Sequence, residues 1–367
     1  MTAPTTNISF SSIQTELGGS NPIALSEYYR GGSIVNTNQT SPIGTIPTSS
    51  QINVGVFRNV TKYIPVFTAT IGSNQTDLNL RTWAVANGWD GSKPATITIG
   101  SGVYVYATTT AGAGLTINGS WPGGITVINN GYIMGMGGSG ESASTNYYQR
   151  ISPGNGGPAI SLGLSCTIQN NSYIGGGGGG GAICYSAAGG GGAGGGAGGY
   201  FSPGFYGSGS ADSPGGAGGG PGSLGGNGGP AVQLNWKYST DQYSGGGGGG
   251  RIMPGAGGAG GSYLGTLAEM GGRGGGAGGG GGAFYGSGIG GEDGGAGGSG
   301  GNIGNSPPSG FNGLSAAGGG GWGAYGGAGM TVDQSHISIG GSGGQAVALN
   351  GYSVTWSATG TRYGAIS

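Results

Sequence analysis

The stretch SYIGGGGGGGAICYSAAGGGGAGGGAGGYFSPGFYGSGS, Ser172 to Ser210, decides how the chain is read, and similar glycine tracts recur nearly to the C-terminus. Such tracts are either disordered filler or a fold built from the backbone itself. The chain holds 104 glycines and 16 prolines in 367 residues, a range in which composition alone argues for low complexity. Two features oppose disorder. Charged residues make up only 6%, whereas disordered chains are charge-rich, and aromatics reach 9%, concentrated between the tracts. Few large aliphatic residues follow about residue 130, so a conventional core is not expected there.

Without a side chain, a glycine tract can adopt the left-handed threefold helix, with about 3 residues per turn, about 3.1 Å rise and no internal hydrogen bonds. Its N–H and C=O groups must then bond to neighbouring chains, which no Cβ holds apart. Collagen is excluded, because tracts such as GGAGGGAGG and GGRGGGAGGGGG lack its Gly-X-Y period. Scattered alanines within the tracts are expected at edge or surface sites. Ordering each glycine costs on the order of 1 to 2 kcal/mol, so only a cooperative array of tracts is expected to hold.

Composition shifts near residue 110. Before it, INVGVF and KYIPVFTATI read as strands with Pro and Gly turns between them. DLNLRTWAVANGW, Asp77 to Trp89, reads as a helix near 78–88 with Asp77 as N-cap. ATITIGSGVYVYA alternates on either side of Gly-Ser-Gly and reads as a hairpin or bulged strand pair. Beyond 110 the chain repeats itself. GNGGPAISLGLSCTI (Gly154–Ile168), GNGGPAVQLNWKYST (Gly226–Thr240) and GSGGQAVALNGYSVT (Gly341–Thr355) share one pattern, and VINNGYIMG (Val127–Gly135) echoes IQNNSYIGG (Ile168–Gly176). Such repeats suggest stacked layers in which each strand is continued by a tract. The expected fold is mostly β and irregular: a small β-rich N-terminal part with one short helix, then a glycine-rich domain of stacked polyglycine II helices and short strands.

The segment ISFSSIQTELGGSNPIALSEYYRGG, Ile8 to Gly32, resembles one found at the N-termini of tailed-bacteriophage virion proteins, in tail-tip and fibre components. The resemblance implies a docking segment, with Phe10, Ile13, Leu17, Pro22, Leu25, Tyr28, Tyr29 and Arg30 as its candidates. From Leu78 to about Gly181 the chain is similar to phage tail proteins in which LRTWAVANGWDG precedes strands and glycine tracts. The remainder resembles the adhesins at the tip of T-even-type long tail fibres, whose tracts form a polyglycine II sandwich and whose distal loops contact the host. Three parts are thus expected: a virion-docking segment 1–32, a β-rich connector 33–110, and a polyglycine II sandwich 111–367.

The chemistry for other functions is sparse. A net charge of -1 with ten scattered Lys and Arg leaves no footprint for nucleic acid or anionic lipid. No run of eighteen apolar residues and no charged start followed by an apolar run occurs, so neither membrane insertion nor a secretion signal is expected. The single histidine, His336, sits in the strand-like TVDQSHISI with Asp333 on the opposite face, which disfavours a catalytic pairing. Glu292 and Asp293 form the only adjacent acidic pair, better placed for a solvated turn than for glycan hydrolysis. Matches to GxGxxG follow from glycine abundance alone. No metal-ligand spacing is visible and no cofactor is expected. Cys166 and Cys184 are compatible with a disulfide or with two buried thiols.

The segments between tracts are rich in Tyr, Phe, Ser, Gly and Asn, a palette suited to recognition, in which rigid aromatics supply contact area at low entropy cost. The candidates are Tyr147, Tyr148 and Arg150; Tyr200, Phe201, Phe205 and Tyr206; Phe284 and Tyr285; and Phe311. Rings at the ends of a glycine lattice also serve simply to cover it. Trp322 and Tyr325, and Trp121 and Trp236, are read as packing. If the tracts run up and down, alternate loops fall at opposite ends and only one set can face a host. The leading expectation is a non-enzymatic receptor-binding adhesin of the virion tail, at its distal tip or fibre, with other tail proteins (tail tip, fibre or baseplate) and a host surface protein or glycan as partners. The alternative is a purely structural tail-tip or fibre-connecting protein.

Overall fold

The structure is a computed structural model. It describes residues 8–58, 60, 64–144, 151–183, 188–199, 201–202, 215–223, 225–227, 232–236, 239–243, 246–251, 253, 284–286, 290–292, 317–330 and 337–367. The chain divides into two compact units, Met1–Phe67 and Thr68–Ser367.

The first unit is helical and irregular. Helix α1 (Phe10–Leu17) starts where the Ser9 hydroxyl accepts the Ser12 N–H and the Ser12 hydroxyl accepts the Ser9 N–H, a reciprocal cap that satisfies two otherwise orphaned donors. Ile13 and Leu17, four residues apart, share the buried face with Tyr28, Val35, Ile46, Phe57 and Val60. The Tyr28 ring meets Phe57 edge-on at 6.4 Å and its hydroxyl donates to the Gly18 carbonyl at 3.0 Å. The β-rich reading of this region needs correction: no strand occurs among the described residues before Phe67. INVGVF instead forms a 3-10 turn, Val54–Phe57, because the Asn53 side chain accepts the Gly55 N–H and bends the chain there.

The second unit is built on three parallel sheets through which the chain coils. One face stacks β1 (Phe67–Ile71), β4 (Ala95–Ile99), β7 (Ile125–Asn129), β11 (Cys166–Asn170) and β21 (Val354–Ala358). A second stacks β2 (Gln75–Thr76), β5 (Tyr104–Tyr106), β8 (Tyr132–Met134), β12 (Tyr173–Gly175) and β22 (Thr361–Tyr363). The third stacks β3 (Leu78–Asn79), β6 (Leu115–Ile117), β10 (Ile160–Leu162) and β20 (Val347–Ala348). Alternation decides which side chains face inward: Ile97, Val127 and Ile168 from the first face, Val105, Ile133 and Ile174 from the second, and Leu115, Ile117, Ile160 and Leu162 from the third are buried.

Here the hairpin expected for ATITIGSGVYVYA is corrected. Its halves, β4 and β5, lie on different faces, and Gly100–Gly102 turns a corner rather than reversing the chain. The helix is also shorter than expected: α2 spans Leu80–Ala86, and Asn79, not Asp77, accepts the Thr82 N–H as its cap. Asp77 lies in the left-handed region (φ 46) and accepts the Thr108 N–H instead. The composition shift near 110 falls within the coil, between β5 and β6.

Outside the coil lie short pairings. β9 (Ala143–Ser144) pairs in parallel with β13 (Phe201–Ser202), and β14 (Val232–Trp236), β15 (Ser239–Tyr243), β16 (Phe284–Gly286) and β17 (Gly290–Glu292) form an antiparallel sheet. β18 (Gly329–Met330) pairs with β19 (Ile337–Ser338). The second copy of the long repeat therefore forms a hairpin, β14–β15, whereas the first and third supply β10–β11 and β20–β21 of the coil.

The glycine tracts leave the coil at one corner, after β8 and after β12, and return into β10 and β20. Segment 176–182 shows how they are held. The N–H groups of Gly177 and Gly180 donate to Gly157 and Gly154, those of Gly178 and Gly181 to Ala193 and Gly190, and those of Gly179 and Ala182 to Ala324 and Gly327. Every third residue returns to the same neighbour. Its carbonyls behave alike: Gly178 and Gly181 accept from Gly138 and Glu141, Gly179 and Ala182 from Gly320 and Ala317, and Gly177 and Gly180 from Gly344 and Gly341. Six segments thus surround this one through backbone bonds. A Cβ on Gly179 would lie 1.8 Å from the Gly341 carbonyl oxygen, which no side chain survives. Of the tract alanines, Ala197 and Ala217 are exposed, as expected of edge sites, whereas Ala182, Ala188, Ala193, Ala317 and Ala324 are buried.

Candidate functional site

The second face, from whose end the tracts depart, is entered through a polar ladder and carries an aromatic one. The Asn129 amide donates to the Asn170 side-chain oxygen at 2.8 Å, and the Asn170 amide donates to the carbonyls of Thr359 at 2.9 Å and Thr361 at 3.2 Å. Both asparagines are fully buried, so the ladder satisfies polar groups that water cannot reach. On the outer side of the second face, Tyr104, Tyr132, Tyr173 and Tyr363 stack in sequence at 4.8, 5.8 and 6.4 Å. They pack against Met134, Ala193, Met253 and Trp322, where the first turns of the lattice meet the coil. Burial, then the neighbouring Tyr132 and Tyr173, raises the Tyr104 and Tyr363 hydroxyls above the usual phenol range.

Arg251 fastens coil and tracts together. Its guanidinium donates to the Gly194 carbonyl at 3.0 Å and the Ala107 carbonyl at 3.1 Å, and lies 4.6 Å over the Tyr106 ring. Burial pushes its pKa below the usual arginine value. At the opposite end of the central segment, the buried Glu141 carboxylate accepts the Ile183 N–H at 3.0 Å. Sequence reasoning missed Arg251 and Glu141, since a lone arginine and a lone glutamate in glycine-rich surroundings carry no periodic signal.

The hydrogen-bond directions show which connections lie at which end. Segment 176–182 runs away from the coil, because it follows β12 directly. Segments 153–158, 188–194, 317–321 and 340–345 bond to it in the antiparallel sense and so run back, whereas 135–142 and 324–328 run outward with it. Segment 196–199 pairs antiparallel with 188–194 and runs outward again; 215–220 and 246–250 return. The turns at Gly194–Gly195, Pro221–Ser223 and Trp322–Gly323 consequently lie beside the coil. The described tract residues Glu141, Ala182, Gly189, Gly199, Gly246 and Gly327 lie toward the far end.

Among the sequence candidates, Tyr147, Tyr148, Arg150, Tyr200, Phe205, Tyr206 and Phe311 lie outside the described residues. The tracts flanking 145–150 and 200–214 end on the far side. Phe201 lies on β13, and Phe284 and Tyr285 lie on β16, which pairs with β15 of the far-side hairpin. Trp322 is fully buried, in keeping with packing, while Tyr325 is 54% exposed. Trp121 stacks on Trp89 at 4.2 Å. Trp236 lies on β14 and Glu292 ends β17, while Asp293, Asp333, His336 and Cys184 lie outside the described residues. Cys166 is a buried free thiol, pushed up to about 11 by burial.

Of the docking candidates, Ile13, Leu17 and Tyr28 form the core of the first unit, and Phe10 packs against it. Pro22, in a cis peptide with Asn21, and Leu25 are exposed. Tyr29 donates its hydroxyl to the Ser50 carbonyl, and the Arg30 N–H donates to the Pro47 carbonyl. Among the described residues no group of acidic, histidine and cysteine side chains has metal-binding geometry, and no helix is long and apolar enough to cross a membrane.

Residues 66–234, which run from the first strand of the coil through the early tracts, match the family model for the phage tail fibre adhesin Gp38. Over that stretch the chain is similar to phage tail fibre adhesins, a similarity that places it with the distal tail of the virion. Among solved structures, the crystal structure of the gp37-gp38 adhesin tip complex of the bacteriophage S16 long tail fibre is similar at 20% identity, with 97% of each chain covered and a TM-score of 0.40. No curated protein matches the chain.

Proposed function

We propose that the protein is a receptor-binding adhesin whose first unit docks on the virion and whose far-side loops recognise the host surface. The observation that carries this reading is the tail fibre adhesin match over the coil and early tracts. The tracts are read as polyglycine II helices packed in a sandwich, supported by neighbours that recur every third residue around 176–182. Such a lattice is rigid where segments are bonded on all sides, as 176–182 is, and loops leaving a rigid framework are where recognition residues act.

The docking function falls to the exposed Pro22 and Leu25, with Tyr29 and Arg30 beside them, because Ile13, Leu17 and Tyr28 are enclosed within their own unit. The S16 tip complex contains gp37 together with gp38, and a fibre protein of the same kind is the docking partner proposed for this chain. The recognition function falls to Tyr147, Tyr148, Arg150, Tyr200, Phe201, Phe205 and Tyr206, with Phe284, Tyr285 and Phe311, against a host surface protein or glycan. Recognition requires no catalysis, cofactor or metal.

The test is adsorption of the fluorescently tagged full chain to a bacterial panel that includes the strain the phage infects, with Tyr147→Ser and Tyr206→Ser variants alongside. Saturable, strain-specific binding that is lost in a variant with unchanged thermal unfolding is the expected result. A folded chain that binds no strain would leave the connecting role in its place.

A further inference from the structure

We infer that the three-faced coil sets the register of the glycine tracts, and that the far-side loops do not. This rests on the polyglycine reading above and goes beyond it. A run such as Gly175–Gly181 carries no side chain to say where it should stop sliding, so a lattice of such runs has many registers of nearly equal energy. Something outside the runs must choose one.

The ladders of the coil supply that choice, because they pass into the tracts without a break. β8 pairs with β12 as Tyr132↔Tyr173, Ile133↔Ile174 and Met134↔Gly175. Beyond the strands the same parallel pairing continues: Gly135 donates to Gly175, Gly138 to Gly178 and Glu141 to Gly181. Donor and acceptor advance together, three residues at a time. β10 pairs with β20 as Ile160↔Val347, and upstream Ala159 donates to Gln345 and Gly156 to Ser342. Four tracts are therefore linear extensions of four coil strands, and their positions follow from the strands.

In the coil the register is not degenerate. A slip by one residue would turn Ile133 and Ile174 outward and the tyrosine stack inward, and would break the Asn129–Asn170 ladder. The junction is also closed to a bulge: a Cβ on Gly176 would lie 2.1 Å from the Gly344 carbonyl oxygen, a backbone atom. An extra residue at that end has nowhere to go except along the tract. At the other end, the bonds of Ala182 to Gly327 and of Ile183 to Glu141 are the last that hold the segment among the described residues.

The experiment inserts glycines into the otherwise unchanged full chain and follows thermal unfolding together with hydrogen exchange of the amides in 176–182 and in β7 and β11. One glycine between Gly175 and Gly176 displaces the whole segment and is expected to lower the midpoint by roughly 10 °C or more and to deprotect its amides. One glycine after Ile183, beyond the Ala182–Gly327, Ala317–Ala182 and Ile183–Glu141 bonds, is expected to leave the midpoint within roughly 2 °C. Three glycines at the first position move the segment by one full turn and restore most of the protection. Equal damage from a single glycine at either end, or greater damage at the far end, would overturn the templating role while leaving the lattice reading in place. If one, two and three glycines at the first position are equally damaging, the period of three fails, and both readings fail with it. Protection retained in β7 and β11 separates these outcomes from general misfolding.

Discussion

At the scale of single residues, glycine here is a packing requirement more than a conformational one. The Gly179 position admits no Cβ, because the Gly341 carbonyl oxygen would lie 1.8 Å away and is itself fixed by the lattice. Gly179→Ala must push a neighbouring segment aside and weaken its bonds, at an expected cost of about 3 kcal/mol. Gly72, in the short link between β1 and β2, has nothing within 4 Å of an added Cβ and no left-handed φ. Gly72→Ala is expected to be neutral or to stabilise by up to about 1 kcal/mol, since it reduces only the freedom of the unfolded chain. Chemical denaturation of the two variants against the parent gives the comparison, and equal effects would mean that the tracts are not close-packed. The alanines among the tracts fit the same logic. Ala193 is buried with its side chain against Met134, Met253 and Trp322, at a point where the lattice meets side chains and not another backbone.

At the scale of elements, the chain is organised by how the coil is joined to what it carries, and Arg251 is the joint with the clearest chemistry. It has no ion-pair partner at bonding distance among the described residues and relies on two carbonyls, the Met136 sulfur and the Tyr106 ring. Arg251→Met keeps the stem and removes a buried charge, but takes the side-chain donor from the Ala107 carbonyl and leaves the Gly194 carbonyl with the Gly137 N–H alone, for a net loss of about 2 kcal/mol. Arg251→Lys keeps the charge in the same desolvated place while losing the planar fork that reaches both carbonyls. The expected order of stability is therefore arginine, then methionine, then lysine, measured by denaturant midpoints; lysine at or near the parent would mean that charge alone suffices. Much of this level was legible in the sequence, because VINNGYIMG and IQNNSYIGG are successive turns of the coil and their Asn and Tyr positions stack in register. The hairpin reading failed because Gly-Ser-Gly marks a chain corner as readily as a reversal, and only the pairing of each strand with its counterpart one turn later distinguishes them. Helix α1 was overlooked although its signal, Ser9 and Ser12 followed by Ile13 and Leu17, was present. Of the candidate site, the sequence named the aromatic residues but could not assign them to an end, since that depends on the directions of tracts whose residues are chemically identical.

At the scale of the whole molecule, the balance of buried surface is unusual, and heat capacity reports it. An ordinary domain unfolds with about 12–15 cal/mol/K per residue, because exposing apolar surface raises the heat capacity more than exposing polar surface lowers it. In this chain the coil and the first unit contain the large aliphatic and aromatic cores, whereas the described glycine segments bury mainly N–H and C=O groups against one another. Their unfolding adds polar exposure with little apolar exposure to offset it. The heat-capacity change of the full chain is therefore expected to fall clearly below the ordinary range per residue, to about 10 cal/mol/K or less. A smaller value flattens the dependence of stability on temperature and widens the range over which the fold holds, which suits a protein exposed at the tip of a virion. Differential scanning calorimetry at several pH values, taking the slope of unfolding enthalpy against midpoint temperature, measures it directly. A value within or above the ordinary range would mean that apolar burial, and not the backbone lattice, carries the glycine-rich half.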